Sequence, residues 1–120
     1  MQNSESLKIN YHKKRFKAVS NSETGEVDSK TLFHYSQQGD VLWAVYQGAS
    51  IKLGTITGLV KEDGSLEFSY QHVNGEGTIR SGKCTSTPEV LEDGRIKLYE
   101  KWSWDGDDLI GESVIEEVLD

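Results

Sequence analysis

The chain has 120 residues, with 13 basic and 20 acidic side chains and a formal net charge of −7. That length predicts one domain over residues 1–120, large enough to bury a core without disulfides or a metal. The acidic balance argues against generic binding to nucleic acid or to an anionic membrane. The lone Cys84 cannot form an internal disulfide, and no apolar run approaches a membrane span or a secretion signal, so a cytoplasmic location is the expectation.

Residues 1–8 read as a flexible lead-in or a short extra strand. After them come "RFKAV", "TLFHYSQ", "VLWAVYQ", "IKLGTITGLV", "SLEFSYQHV", "GTIRSGKCTST", "RIKLYEKWSW" and "LIGESVIEEVL". Each is short and rich in Val, Ile, Thr and aromatic residues. Between them lie the turn signals "QQGD", "KEDGS", "VNGEG", "LEDGR" and "WDGDD". About eight strands with short connections predict an all-β fold, an antiparallel up-and-down barrel. The final "SVIEEVLD" can end in a helical turn, since Glu and Leu permit one.

Two Glu-Asp-Gly loops, at Gly64 and Gly94, predict three-residue hairpins with glycine in the left-handed region. They place Val60 opposite Leu66, Gly58 opposite Phe68 and Ile56 opposite Tyr70. In the second hairpin Val90 faces Ile96, Ser86 faces Glu100 and Cys84 faces Trp102. A loop at Asn74-Gly75-Glu76 joins the two and sets Tyr70 against Arg80 and Phe68 against Gly82. It puts His72 opposite Thr78. Even-numbered residues of the central strands then form one face, with Ile56, Leu66, Phe68, Leu98, Trp102 and Trp104. That face is the better interior. Large rings beside Gly58 and Gly82 fit because glycine leaves the space that a ring fills.

On this register Glu100 points inward, together with Tyr70, His72 and Arg80. A charge buried without a partner is costly, so such a set needs water, a mutual partner or a ligand. Tyr70, His72 and Arg80 can offer donors to an anionic group. The plain alternative is that Arg80 reaches out of the mouth and His72 sits on the rim. Glu100 reads equally as a ligand-facing acceptor beside Trp102 or as a structural carboxylate. Trp102 and Trp104 complete the candidate ligand-binding interior. Cys84 and His72 stand about 20 Å apart along the strands, which excludes a thiol–imidazole pair. His12, His34, His72 and Cys84 lack metal-ligand spacing, so no metal and no cofactor are expected. The basic "HKKRFK" reads as a solvated strand face. Ile51, Leu53, Leu59, Ile79 and Tyr99 fall outside, which predicts a homo-oligomer joined through barrel walls.

Taken together, "FHYSQQGDVLWAVYQG", "GLVKEDGSLEFSYQHVN", "GKCTSTPEVLEDGRIKLYEKWSW" and "GESVIEE" resemble a family of small bacterial proteins often labelled N-acetylglutamate synthase. That resemblance implies acyl transfer from acetyl-CoA. The acetyl-CoA-binding fold uses an Arg/Gln-x-x-Gly-x-Gly/Ala loop followed by a helix; "RSGKCT" from Arg80 departs from it. The overall design is also similar to avidin- and lipocalin-type barrels, which implies a non-catalytic small-molecule binder. A third reading is a structural or assembly module with a filled barrel.

Overall fold

The computed structural model describes residues 9–22, 26–106 and 109–119; the expectation for residues 1–8 lies outside them. Eight strands follow in chain order: β1 Arg15–Asn21, β2 Leu32–Gln38, β3 Val41–Gly48, β4 Ile51–Val60, β5 Leu66–Asn74, β6 Ile79–Val90, β7 Ile96–Trp104 and β8 Ile110–Glu117. Each pairs antiparallel with its neighbour in sequence, and β8 returns to β1 to close a barrel. Closure removes the exposed edges that an open sheet would present. The final segment stays extended through Glu117, and Val118 N–H donates to Arg15 O at 2.8 Å, so the anticipated helical turn does not form. Seam pairing with β1 satisfies its backbone instead.

Three hairpins share one turn. In each, the first loop-closing residue donates N–H to the carbonyl four positions on, and a glycine one before that partner donates back. The pairs are Lys61 with Ser65, Leu91 with Arg95 and Asn74 with Thr78. The returning glycines are Gly64, Gly94 and Gly77, with φ of 88°, 89° and 83°. Only glycine takes up that left-handed geometry without penalty.

The third of these turns corrects the expected register. Gly77, not a residue nearer Gly75, holds the left-handed position, so the loop is Gly75–Gly77. Moving a loop by one residue shifts the pairing by two and leaves the inward face unchanged. Tyr70 therefore faces Gly82, Phe68 faces Cys84, and His72 faces Arg80 rather than Thr78. The pairs around Gly64 and Gly94 stand as expected.

The even face of β3 to β7 is the interior, filled by Leu42, Ala44, Ile56, Leu66, Leu98 and their neighbours. Three rings lie over glycines, Tyr46 on Gly54, Tyr70 on Gly82 and Trp102 on Gly111, and a fourth glycine, Gly58, lies against the backbone and Cβ of Phe68. A Cβ on any of the four would overlap the ring or the adjacent backbone. Ile51 departs from the expected outward position and is buried, because the β3–β4 and β4–β5 ladders both shift next to it.

One end of the barrel is sealed. Tyr11, ahead of β1, is fully buried and donates its hydroxyl to Gly64 O at 2.6 Å. Its ring lies 6.4 Å from Phe16 and 6.2 Å from Tyr35. This aromatic plug makes the barrel a cup with one mouth. Tyr11→Ala should cost about 3–5 kcal/mol by loss of a buried ring, and Gly111→Ala about 1–3 kcal/mol by overpacking against Trp102. Urea unfolding midpoints of the two variants check both.

Candidate functional site

Glu100 sits deep in the cup, in a row of polar side chains that crosses four strands. Asn21 pairs with Ser113 across the β1–β8 seam, Ser113 with Glu100 across β8–β7, and Glu100 with Ser86 across β7–β6. The Ser113 hydroxyl donates to Glu100 Oε1 at 2.9 Å and the Ser86 hydroxyl to Oε2 at 3.1 Å. Asn21 joins the row because the ladder shifts between Ala18 and Ser20. That irregularity moves the inward parity of β1 from even to odd residues. Asn21 Nδ2 donates to Val27 O at 2.7 Å, while its Oδ1 is buried with no hydrogen-bond partner.

Glu100 is 7% exposed and has no basic side chain within ion-pair distance among the described residues. Burial pushes its pKa up from 4.5 to about 7, against the lowering effect of Ser113 and Ser86. Burial also drives the Cys84 thiol and the Tyr35 and Tyr46 hydroxyls well above their ordinary values. Cys84 is thus a buried structural thiol rather than a nucleophile.

Above the row lie Phe68, Trp102, Trp104 and Tyr70, on successive inward positions of β5 and β7. Trp102 and Trp104 meet edge-on at 5.6 Å, and Tyr70 meets Trp104 at 5.5 Å. Tyr70 is partly buried and donates to Ser103 O at 2.8 Å. The mouth carries a network of its own. Glu26, from the β1–β2 connection, accepts from His72 Nε2 at 2.8 Å, from Asn74 Nδ2 at 3.2 Å and from Arg80 Nη1 at 3.3 Å. A carboxylate only accepts, so Nε2 bears a proton, and Nδ1 shares a hydrogen bond with the Tyr46 hydroxyl at 2.7 Å. Burial raises the Glu26 pKa, but the bonds from His72 and Asn74 and the charges nearby outweigh it and the net shift is downward. Arg80 leans over Trp104, its guanidinium carbon 4.0 Å from the ring centroid.

The structure therefore brings Tyr70, His72, Glu100, Trp102 and Trp104 together around one interior cavity of about 50 Å³, which Asn21, Glu26, Phe33 and Tyr46 also line. Arg80 is not in the lining; it stands at the mouth with its side chain 28% exposed. With the corrected register His72 lies four residues from the position opposite Cys84, roughly 13 Å along the strands. That is shorter than expected and still far from a reacting distance. No group of three or more metal-competent side chains occurs among the described residues. A wider depression of about 810 Å³ lies on the outer wall, bordered by Thr57, Glu67, Ser69, Lys83, Thr85 and Lys101; it is open to solvent.

Sequence reasoning missed Glu26, Asn21, Ser113 and Ser86 as site residues. Glu26 lies in "SNSETGEVDSK", which has no periodicity to orient it. Asn21 is hidden behind the bulge. Tyr46 was within reach, since Leu42, Ala44 and Tyr46 alternate inward on β3.

A closed eight-stranded antiparallel barrel, plugged at one end and opening onto a small polar and aromatic interior, is the class of protein defined by this geometry. Residues 9–118 match the model of a family described as Avidin-like protein, and the chain belongs to that family. Searches of curated proteins and of solved structures returned no match. The likeness to avidin-type barrels thus holds, whereas the label N-acetylglutamate synthase finds no support in the family match.

The raised pKa of Glu100 has a signed consequence. The folded protein holds this proton over a pH range in which the unfolded chain has released it. The contribution to stability is full below about pH 4.5 and is lost as pH rises through about 7. Glu100→Gln removes the titration without changing shape. The stability of the wild type relative to this variant should fall by about 3 kcal/mol between pH 4.5 and 7.5. Urea unfolding of both proteins across that range measures the difference.

Proposed function

We propose that the protein binds a small molecule inside the barrel and does no chemistry on it. The observation that carries this reading is the buried Asn21 Oδ1, an acceptor with no partner, facing a cavity walled by aromatic rings and by the carboxyl of Glu100. Buried polar atoms are normally satisfied, and one left open beside free space is what a ligand or ordered water completes. The family supports the same conclusion, since avidin-like barrels suggest small-molecule binding. Tyr70, His72, Glu100, Trp102 and Trp104 line the site, and Arg80 borders its mouth through Trp104 and Glu26.

The space is a constraint on the ligand. About 50 Å³ admits a few waters or one small group, well below the several hundred Å³ of a drug-sized pocket. A larger ligand enters by displacing Glu26 from His72 and Arg80. Native mass spectrometry of protein purified from its host should show a co-purifying small molecule. Its binding should quench or enhance tryptophan fluorescence, and Trp102→Phe and Trp104→Phe should each change that response. Binding that survives both substitutions unaltered places the ligand elsewhere.

We further propose a homo-oligomer joined through a barrel wall. Val41, Trp43, Val45, Leu53 and Leu59 are each 40–50% exposed on the outer face of β3 and β4, where Val41 lies opposite Leu59. A contiguous apolar wall of this kind favours self-association. Ile79 and Tyr99 are also exposed, but Tyr99 lies on another wall, bonded to Glu89. Leu53→Glu should give a folded species of lower mass by light scattering. An unchanged mass removes this wall as the interface.

A further inference from the structure

We propose that Glu100 and Asn21 form the seat for the charged head of a small organic cation, of guanidinium or primary ammonium type. This rests on interior binding as proposed above and assigns the chemical class of the ligand.

The first argument is the imbalance of acceptors. Each Glu100 oxygen receives one serine hydroxyl, at 2.9 and 3.1 Å, and a carboxylate has about four acceptor positions. Asn21 Oδ1, on the strand beyond Ser113, receives nothing. Unused acceptors thus sit on β7 and β1, on either side of Ser113 of β8, and call for a ligand rich in N–H donors. The amide is oriented by its own bond, since Nδ2 already donates to Val27 O.

The second argument is charge. Among the described residues no lysine or arginine lines the cavity, and Arg80 is held by Glu26 at the mouth. A buried carboxyl without a counter-ion stays neutral by keeping its proton. A cation that reaches it replaces that proton, which leaves to solvent, and the net charge of the site stays the same. The third argument is the wall. Phe33, Phe68 and Trp102 line the cavity beside the carboxyl, and aromatic faces attract cations. Among the described residues, the other titratable groups facing the space are Glu26, His72, Cys84, Tyr46 and Tyr70, with buried Tyr35 behind them. The thiol and the phenols stay neutral through the working range. Glu26 is committed to His72, Asn74 and Arg80.

Guanidinium and urea are close in shape and differ in charge, so they form the test. Each is titrated at millimolar concentration into the full-length protein, and the indole N–H resonances of Trp102 and Trp104 are followed by NMR. Guanidinium should shift them saturably, and urea at equal concentration should not. Guanidinium affinity should drop about tenfold per pH unit below pH 7, as Glu100 takes up its proton. Glu100→Gln, confirmed folded by circular dichroism, should abolish the response. Asn21→Ala should weaken it about three- to tenfold, the loss of one hydrogen bond. His72→Gln should leave the pH dependence in place. An equal response to urea overturns the cation seat and leaves interior binding standing. A guanidinium response that ignores pH or survives Glu100→Gln overturns it too. If neither probe acts while a ligand co-purifies, the seat falls and the binding reading stands. If nothing co-purifies either, both fall.

Discussion

Register is the constraint on which the interior depends. A barrel wall alternates inward and outward at every residue, and the side chains at one depth come from several strands at once. Three glycine-closed loops of the same form, at Gly64, Gly77 and Gly94, fix that depth for β4 to β7. They set Ser86 against Glu100 and Trp102 against Cys84. They also place Tyr70 over Gly82 and set Phe68 opposite Gly58. A slip of two residues would leave every face correct and every depth wrong. Rings would then meet side chains where they now meet glycine, and the carboxyl of Glu100 would lose a hydroxyl donor.

The alternation in the sequence was enough to reveal the fold, the inward face and the two Glu-Asp-Gly hairpins. It could not rank two neighbouring glycines in "NGEG", and so the β5–β6 register came out two residues off. Gly75 and Gly77 are both compatible with a tight turn; Asn74 decides between them. Its Oδ1 accepts from Glu76 N–H and Thr78 N–H, each at 3.0 Å, and draws the loop closed around Gly75–Gly77. Ile51 was misplaced for a related reason, because alternation carried across a bulge predicts the wrong side.

The site was partly legible. Glu100 stood out because a carboxylate interrupts an apolar face, and that anomaly is physical: it is buried with no basic side chain within ion-pair distance among the described residues. Of what surrounds it, the pairing with Ser86 was legible and the rest was not. Ser113 meets Glu100 across the neighbouring β7–β8 pair, but Asn21 joins the row only because the first and last strands meet, a contact with Ser113 about 90 residues away in sequence. Glu26 reaches His72 and Arg80 from a connection without pattern. Contacts of this kind leave no trace in local periodicity, and a half-buried Arg80 with an acidic partner looks the same in sequence as any surface arginine.

The aromatic plug at Tyr11 has a kinetic meaning. A tube with two openings lets a guest pass through, but a cup makes arrival and departure share one route, past Glu26, His72 and Arg80. For a guest bound as proposed, residence time inside then depends on how often that rim loosens as well as on the contacts at the floor. The row at the floor also straddles the β1–β8 seam. A chain lacking its last strand has the rim residues His72 and Arg80 but not the completed floor. A guest held as proposed would therefore be retained only when the cylinder is closed.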